Sequence, residues 1–402
     1  MANIKRANTS GITKTGTAIS DVPDAPTIGT ATAVDSSSAT ITYTAAATGG
    51  AVTTFTATST PSSITATGSS PITVTGLAAS TAYTFKVKGT NSTATGPESA
   101  ASNSITTAAP PARGVFGGGS SAANALNYVT VATTGTVSSF GTLITSGYGR
   151  ASCSSATRGL WSGGGGFNAQ TASIEYITIA TTGNGTSFGN LTQARNGITG
   201  LSNSTRGVFG GGLTGGSGTY TNVIDYVTIA TTGNATSFGT LYSSAQWVSG
   251  GASTTRGLFA GGVSAIPFND IGYITIATTG NTTSFGTLTV ARGYLSGCSS
   301  STRSLIAGGY PTGGNGIEYV TIATTGNGTS FGNLTSTKYG MASFSSSTVG
   351  LFVGGYDNTD SEFETTAIDS VTIATTGNAT SFGTLSVGKG YQAGCSNGHG
   401  GL

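Results

Sequence analysis

One sixteen-residue phrase, YITIATTGNTTSFGTL at 273–288, recurs six times, and no other feature of the sequence limits the fold so severely. The other copies begin at Tyr128, Tyr176, Tyr226, Tyr319 and Ser370, so successive starts lie 48, 50, 47, 46 and 51 residues apart. A period in this range belongs to solenoids and propellers, whose units bury their apolar faces against one another. A second phrase precedes each copy: RGVFGGG at Arg113, RGLWSGGG at Arg158, RGVFGGG at Arg206, RGLFAGG at Arg256, RSLIAGG at Arg303 and VGLFVGG at Val349. The interval from the closing Leu to the next such phrase is constant at fifteen residues, as from Leu143 to Arg158 and from Leu334 to Val349. Length varies almost entirely between the glycine run and the following Tyr, which describes a rigid unit carrying one variable loop.

Within 289–334, ARGYLSGCSS and SLIAGG read as two strands joined by a short STR turn. IEYVTIA reads as a third, alternating strand, and TTGNGTSFGNL as a tight hairpin into a fourth. Gly-Asn suits a two-residue turn whose twist matches its strands. Four antiparallel strands per repeat are the unit of a β-propeller. The hydrophobic run ending in a glycine pair, the following Tyr, the fourth-strand aromatic and the LxxAR lead-in resemble a kelch repeat. Phe140, Phe188, Phe238, Phe285, Phe331 and Phe382 stand where that family usually has Trp. The resemblance implies a six-bladed kelch-like β-propeller over 113–402. The first unit lacks a first strand and the last runs past its fourth. Residues from about Lys389 to Ser396 are therefore expected to complete the first blade and close the ring.

The text before the repeats differs. Residues 1–22 are polar, carry Lys5, Arg6 and Lys14, and read as a flexible arm with nothing to build a core. Residues 23–107 hold about seven short alternating runs separated by Gly, Pro and Ser turns, the pattern of a β-sandwich. GLAASTAYTF, with Leu77 and Tyr83, resembles the tyrosine corner of a fibronectin type III domain, while Tyr43 stands where that family often buries Trp. AAPPA at 108–112 reads as a semi-rigid Pro linker. The fold class expected is all-β throughout.

Composition narrows the chemistry. Only 7% of the 402 residues are charged and the net charge is +2, which argues against a nucleic-acid partner. No run approaches the apolar length of a membrane helix, and the N-terminus has no apolar signal region, so neither membrane insertion nor secretion is expected. The sole histidine is His399, leaving little material for His-based catalysis or a metal centre. Cys153, Cys298 and Cys395 share one repeat position with Leu201, Gly251 and Phe344, so they read as buried packing residues. Glu175, Asp225, Glu318 and Asp369 recur before the third-strand Tyr or Ser and read as local polar ties. Asn184, Asn234, Asn281, Asn327 and Asn378 lie in N-x-T sequons read as turn chemistry. No catalytic residue, metal or cofactor is expected, and the chain reads as a non-enzyme.

The arm, the Ser/Thr/Gly-rich sandwich and the YITIATTGNxTSFG repeat are similar to structural proteins of tailed phages, especially those infecting marine cyanobacteria. This resemblance implies a fibre-like or decoration component made in the host cytoplasm and exposed on the virion. It would meet other virion proteins through the arm (Lys5, Arg6, Lys14) and a host-surface glycan or protein through the distal propeller; a homo-oligomer is compatible with it. The alternatives are a bacterial kelch-type interaction scaffold and a propeller glycosidase. The expected ligand site is a basic, aromatic-rimmed mouth. Arg195, Arg292, Lys338 and Lys389 each stand four residues after the repeat Leu, with Tyr148, Trp247, Tyr294, Tyr339 and Tyr391 beside them. The variable loops, on the same face, add Phe167, Tyr220, Phe268, Tyr310, Tyr356, Asp357, Glu362 and Phe363.

Overall fold

A computed structural model describes residues 22–120, 124–135, 137–166, 169–215, 218–311, 314–357 and 363–402. Lys5, Arg6 and Lys14 of the expected arm, and the loop residues Phe167 and Glu362, lie outside the described residues. The described chain is all-β and falls into two compact units that divide after Pro111.

In the first unit, Thr27–Ala33, Ser38–Thr44 and Ile72–Thr75 form one antiparallel sheet, and Thr65–Thr67, Thr54–Thr60, Ala82–Thr90 and Ile105–Thr106 a second. Strict alternation builds the core. Along Ala82–Thr90, Tyr83, Phe85 and Val87 are buried while Lys86 stays outside. They meet Ala39, Ile41, Ile72 and Val74 of the facing sheet, and each such burial contributes about 1.5–3 kcal/mol.

Among the described residues the second unit holds six four-stranded antiparallel sheets. Five are sequential hairpins, such as Thr199–Ser202, Arg206–Gly210, Val223–Thr228 and Thr236–Thr240. The first sheet is composite: Ser138–Thr142, Ala125–Thr130 and Arg113–Gly117 are followed by Ala393–Ser396, which pairs Cys395 with Val115 and Ser396 with Gly114. The innermost strands touch in sequence from Ala151–Ser154 through Thr199–Ser202, Ser249–Ala252, Ser296–Ser299 and Ala342–Ser345. Ala393–Ser396 contacts both the last and the first of these.

Three tiers of contact join neighbouring sheets. At the outer rim the most repeated text does the joining, and it overturns the expected two-residue hairpin. The third strand of the second sheet ends at Thr178 and the fourth begins at Thr186, so seven residues intervene. That connector reaches back to the preceding sheet: Gly183 N–H donates to Phe140 O (2.9 Å), and Asn184 Oδ1 accepts the Thr142 N–H (3.0 Å). Asn234, Asn281, Asn327 and Asn378 repeat the second bond, each at 3.0 Å. The strand glycine is needed there, since a Cβ on Gly189 would lie 2.1 Å from Gly233 O. A period-two reading sees a turn within one sheet; the physical role is a clamp between two.

In the middle tier, Arg158 lies over the Tyr176 ring (4.6 Å) and donates to Ile229 O and Ala230 O of the following sheet (3.2 and 2.7 Å). Arg113, Arg206, Arg256 and Arg303 do the same. Beside this clasp, one side chain from each inner strand except the fourth sheet's presses on a glycine of the next sheet. Cβ atoms added at Gly207, Gly350 and Gly159 would meet Cys153, Cys298 and Cys395 Sγ at 2.6, 2.6 and 2.7 Å. These thiols are free and buried; burial pushes those of Cys298 and Cys395 up to about 12.

Innermost, serine hydroxyls hand the contact on. Ser202 Oγ donates to Ser154 O (2.7 Å), Ser154 Oγ to Ser396 O (2.7 Å), Ser396 Oγ to Ser345 O, Ser345 Oγ to Ser299 O (2.7 Å) and Ser299 Oγ to Ala252 O (2.8 Å). The glycine pairs that follow each second strand adopt two successive left-handed conformations, as at Gly211 (φ 69°) and Gly212 (φ 113°). Left-handed backbone at both positions is what calls for glycine there.

Candidate functional site

The six connectors that carry the chain from one sheet's fourth strand to the next inner strand share a residue at one position, six after the repeat Leu. It is Gly149, Gly197, Trp247, Tyr294, Gly340 and Tyr391, and all six are left-handed, the three aromatics at φ 54–58°. Backbone bonds run between consecutive members: Gly197 N–H to Gly149 O (2.8 Å), Trp247 N–H to Gly197 O (2.9 Å), Gly340 N–H to Tyr294 O (2.9 Å), Tyr391 N–H to Gly340 O (2.7 Å) and Gly149 N–H to Tyr391 O (3.4 Å). Left-handed backbone is costly for a bulky side chain, by about 1–2 kcal/mol. The rings occupy room that the glycines leave: Trp247 would clash at 3.0 Å with a Cβ on Gly149, and Tyr391 at 2.8 Å with one on Gly340. Trp247, Tyr391 and Tyr294 meet with centroids 4.9, 5.2 and 6.0 Å apart, and Tyr148, Tyr339, Tyr310 and Tyr356 extend the cluster. The structure thus brings together the aromatic half of the expected site.

The basic half is corrected. Arg195, Arg292 and Lys338 are buried and face inward, each bound to the acid of the sheet its connector enters: Asp225 (2.6 Å), Glu318 (2.7 Å) and Asp369 (3.0 Å). The same carboxylates accept the N–H of Thr192, Thr289 and Thr335, and Arg195 also donates to Gly211 O and Val223 O (both 2.7 Å). The recurring acids are therefore ties between connector and sheet, as their periodicity suggested, and the cations are their partners rather than a basic mouth. A charge removed from water is retained only where it is paired and hydrogen-bonded, and this geometry supplies both. Lys389 is also buried; desolvation lowers its ammonium, offset in part by Glu364. In the second sheet Arg150, three residues further along its connector, serves Glu175 at 3.4 Å. In the fourth sheet both partners are absent together, with Ala245 and Gly272 in their places.

Beneath the aromatic cluster lies a cavity of about 100 Å³ lined from all six sheets, including Arg150, Trp247, Tyr294, Ser343, Tyr391 and Gln392. A second cavity of about 70 Å³ continues from it at Ser152, Gly200, Gly250, Gly297, Ser343 and Gly394, and ends at His399. His399 Nε2 lies 3.1 Å from Ser154 O and 3.3 Å from Ser202 Oγ, and burial lowers its imidazole to about 4. Sequence reasoning missed Arg150 and Gln392. They occupy the position seven after the repeat Leu, where the other sheets have Ile198, Val248, Leu295 and Met341, so two polar residues in an apolar column were the available signal.

The surface around the aromatic cluster is distinctive. Among the described residues, the exposed large apolar side chains of the second unit are Ile144, Tyr242, Ile266, Val290, Tyr310, Phe363 and Val387. All lie in connectors or in the second-to-third-strand loops, which antiparallel pairing puts on one face. The variable loops are fastened at their roots to the connectors, through Asn196 with Leu213, Gln246 with Val263, Gly293 with Tyr310 and Tyr339 with Tyr356. Tyr220, Phe268, Tyr356 and Asp357 are half-buried within these loops.

In the first unit, the Tyr83 hydroxyl accepts the Ala78 N–H at 2.9 Å, tying a strand to the backbone just upstream of it. Residues 24–105 match the Fibronectin type III domain family. Within this fibronectin type III domain, Tyr43 is half-buried against Phe55 (4.6 Å) and donates to Gly68 O (3.0 Å), so it acts as a wedge at the sheet margin and not as a central core residue. Among the curated proteins compared, none is matched by the chain.

Proposed function

We propose that the chain is a non-enzymatic binding and structural protein. In this reading the fibronectin type III domain is a spacer and the second unit is a closed six-bladed, kelch-like propeller that meets its partner through the connector face. The observation that carries it is the segregation of exposed apolar side chains, from Ile144 to Val387, onto the one face that also holds the Trp247–Tyr294–Tyr391 cluster. Isolated exposed apolar residues are ordinary, but their concentration around an aromatic centre on fastened loops is the usual mark of recognition. The resemblance of the repeats to tailed-phage structural proteins supports a finer placement: a fibre-like or decoration component, held to the particle by the arm with Lys5, Arg6 and Lys14, its face turned to a host-surface glycan or protein.

Two comparisons test this. Tyr242→Ser with Phe363→Ser should reduce adsorption of the purified chain to host cells at least about tenfold, the scale of two lost apolar contacts. Thr232→Ser, in a third-to-fourth-strand connector on the opposite face, should leave adsorption unchanged. Deleting residues 1–22 should keep the chain out of purified particles while both units still fold. Undiminished adsorption of the double variant would overturn the face, and normal incorporation of the deletion would overturn the anchor.

A further inference from the structure

We infer that the cavity under Trp247 and Tyr391 is a binding site for one uncharged sugar ring; this rests on the proposed binding role of the same face and specifies its ligand. The argument begins with unmet valence. Trp247 Nε1, Arg150 Nε and Gln392 Oε1 are buried polar atoms with no hydrogen-bond partner among the described residues, and all three residues line the cavity. Arg150 and Gln392 are 5% and 6% exposed, so bulk water does not solvate them freely. Buried polar groups are nearly always partnered, and two of these three residues interrupt a column that is Ile, Val, Leu or Met in the other four sheets. Apolar residues would fill that column at no polar cost. The polar pair is therefore placed for something that enters.

The donor and acceptor set defines the chemistry. Trp247 Nε1 and Arg150 Nε donate, whereas Gln392 Oε1 accepts. An anion would meet both donors but be opposed by the amide oxygen, and the Arg150 charge is already balanced by Glu175 at 3.4 Å. A cation would meet the acceptor and be opposed by both donors. A hydroxyl both donates and accepts, so a polyol matches both kinds of group. The walls agree: Trp247, Tyr294 and Tyr391 pack on one another and line the cavity as a half-buried aromatic surface, the kind of wall against which the C–H face of a pyranose packs. Strain points the same way, because three large side chains are held left-handed at a position that Gly149, Gly197 and Gly340 fill without strain. The cavity, about 100 Å³, has room for several water-sized groups and thus for one sugar ring or its hydroxyl-bearing edge. With Arg195, Arg292 and Lys338 buried in ion pairs, the expected basic mouth gives no basis for an acidic sugar.

The test is a titration of the full chain with methyl glycosides of glucose, galactose, mannose and N-acetylglucosamine, set against glucuronic acid and sialic acid. Trp161 and Trp247 are the two indoles, so Trp161→Phe leaves Trp247 as the sole emitter. Ligand-observed saturation-transfer NMR on the unaltered chain gives a readout that does not depend on that variant. At least one neutral glycoside should shift the Trp247 emission saturably at millimolar concentration and receive saturation transfer. Gln392→Leu and Trp247→Gly should each weaken it about tenfold or more, the worth of one hydrogen bond or one stacked face. Glycine at the equivalent position of three other sheets means that Trp247→Gly keeps a backbone the fold already uses. Silence of all four neutral glycosides in both measurements overturns the site. Binding of the acidic sugars alone overturns the uncharged class while leaving the binding face standing. Neutral-sugar binding that survives both substitutions overturns the location.

Discussion

At the scale of single residues, the molecule uses charge for construction. Asp225 takes an N–H and a hydroxyl proton from Thr192 as well as the Arg195 guanidinium, so a buried carboxylate has its oxygens satisfied from one connector. Removing one partner strands the other in a medium that does not solvate it, whereas removing both does not. The fourth sheet has already made the double exchange, to Ala245 and Gly272. Arg195→Ala alone should therefore cost about 3–5 kcal/mol in denaturant unfolding. Arg195→Ala combined with Asp225→Gly should cost clearly less than the sum of the single changes; additive losses would show that the pair is not the unit. The acids were legible as ties from the sequence because they recur in register with the strands. Their partners were misread because a cation four residues after Leu has no visible burial in a one-dimensional pattern, and low overall charge made each one look conspicuous.

At the scale of elements, the sheets are joined by matched sizes. The inner-strand side chain and the residue it presses on vary together: Cys153 on Gly207, Leu201 on Gly257, Phe344 on Gly114, and, reversed, Gly251 beneath Ser304. This explains why the phrase beginning at Arg303 reads RS where four others read RG, a difference the sequence displays and only the packing interprets. Gly207→Ser should destabilise the chain by about 1–3 kcal/mol through overpacking against Cys153. Adding Cys153→Gly should restore most of the loss, as measured by thermal unfolding. If the second change deepened the loss, the sheets would not be matched in this way. Strand order, the fourth-strand Phe and the completing strand were readable from period and interval alone. The TTGN connectors were not, because a period describes what happens within a unit and these residues act between units.

At the scale of the whole molecule, one junction is built differently. Between the sixth and first sheets the Arg clasp is missing, with Val349 for Arg and Ser370 for Tyr. Phe344 stacks on Phe116 there (5.7 Å), and within the first sheet Arg113 N–H donates to Asn397 Oδ1 (2.7 Å). Aromatic packing thus replaces the cationic clasp at that junction, while the seam between distant parts of the chain, Ala393–Ser396 paired with Arg113–Gly117, keeps the first sheet from ending in an open edge. The proposed ring, the connector face and the cavity on its axis all depend on that seam, and the register there is specific: Cys395 stands directly opposite Val115, both buried in one cluster. Residues so placed across an antiparallel pair have Cβ atoms about 4.5–5.5 Å apart, near enough for a disulfide with modest adjustment. The decisive measurement is therefore peptide mapping of a Val115→Cys chain refolded under mild oxidant. Ring closure predicts a disulfide joining position 115 to Cys395, with a raised melting temperature that falls back on reduction. A thiol at position 115 that stays free, or that pairs instead with Cys153 or Cys298, would contradict it.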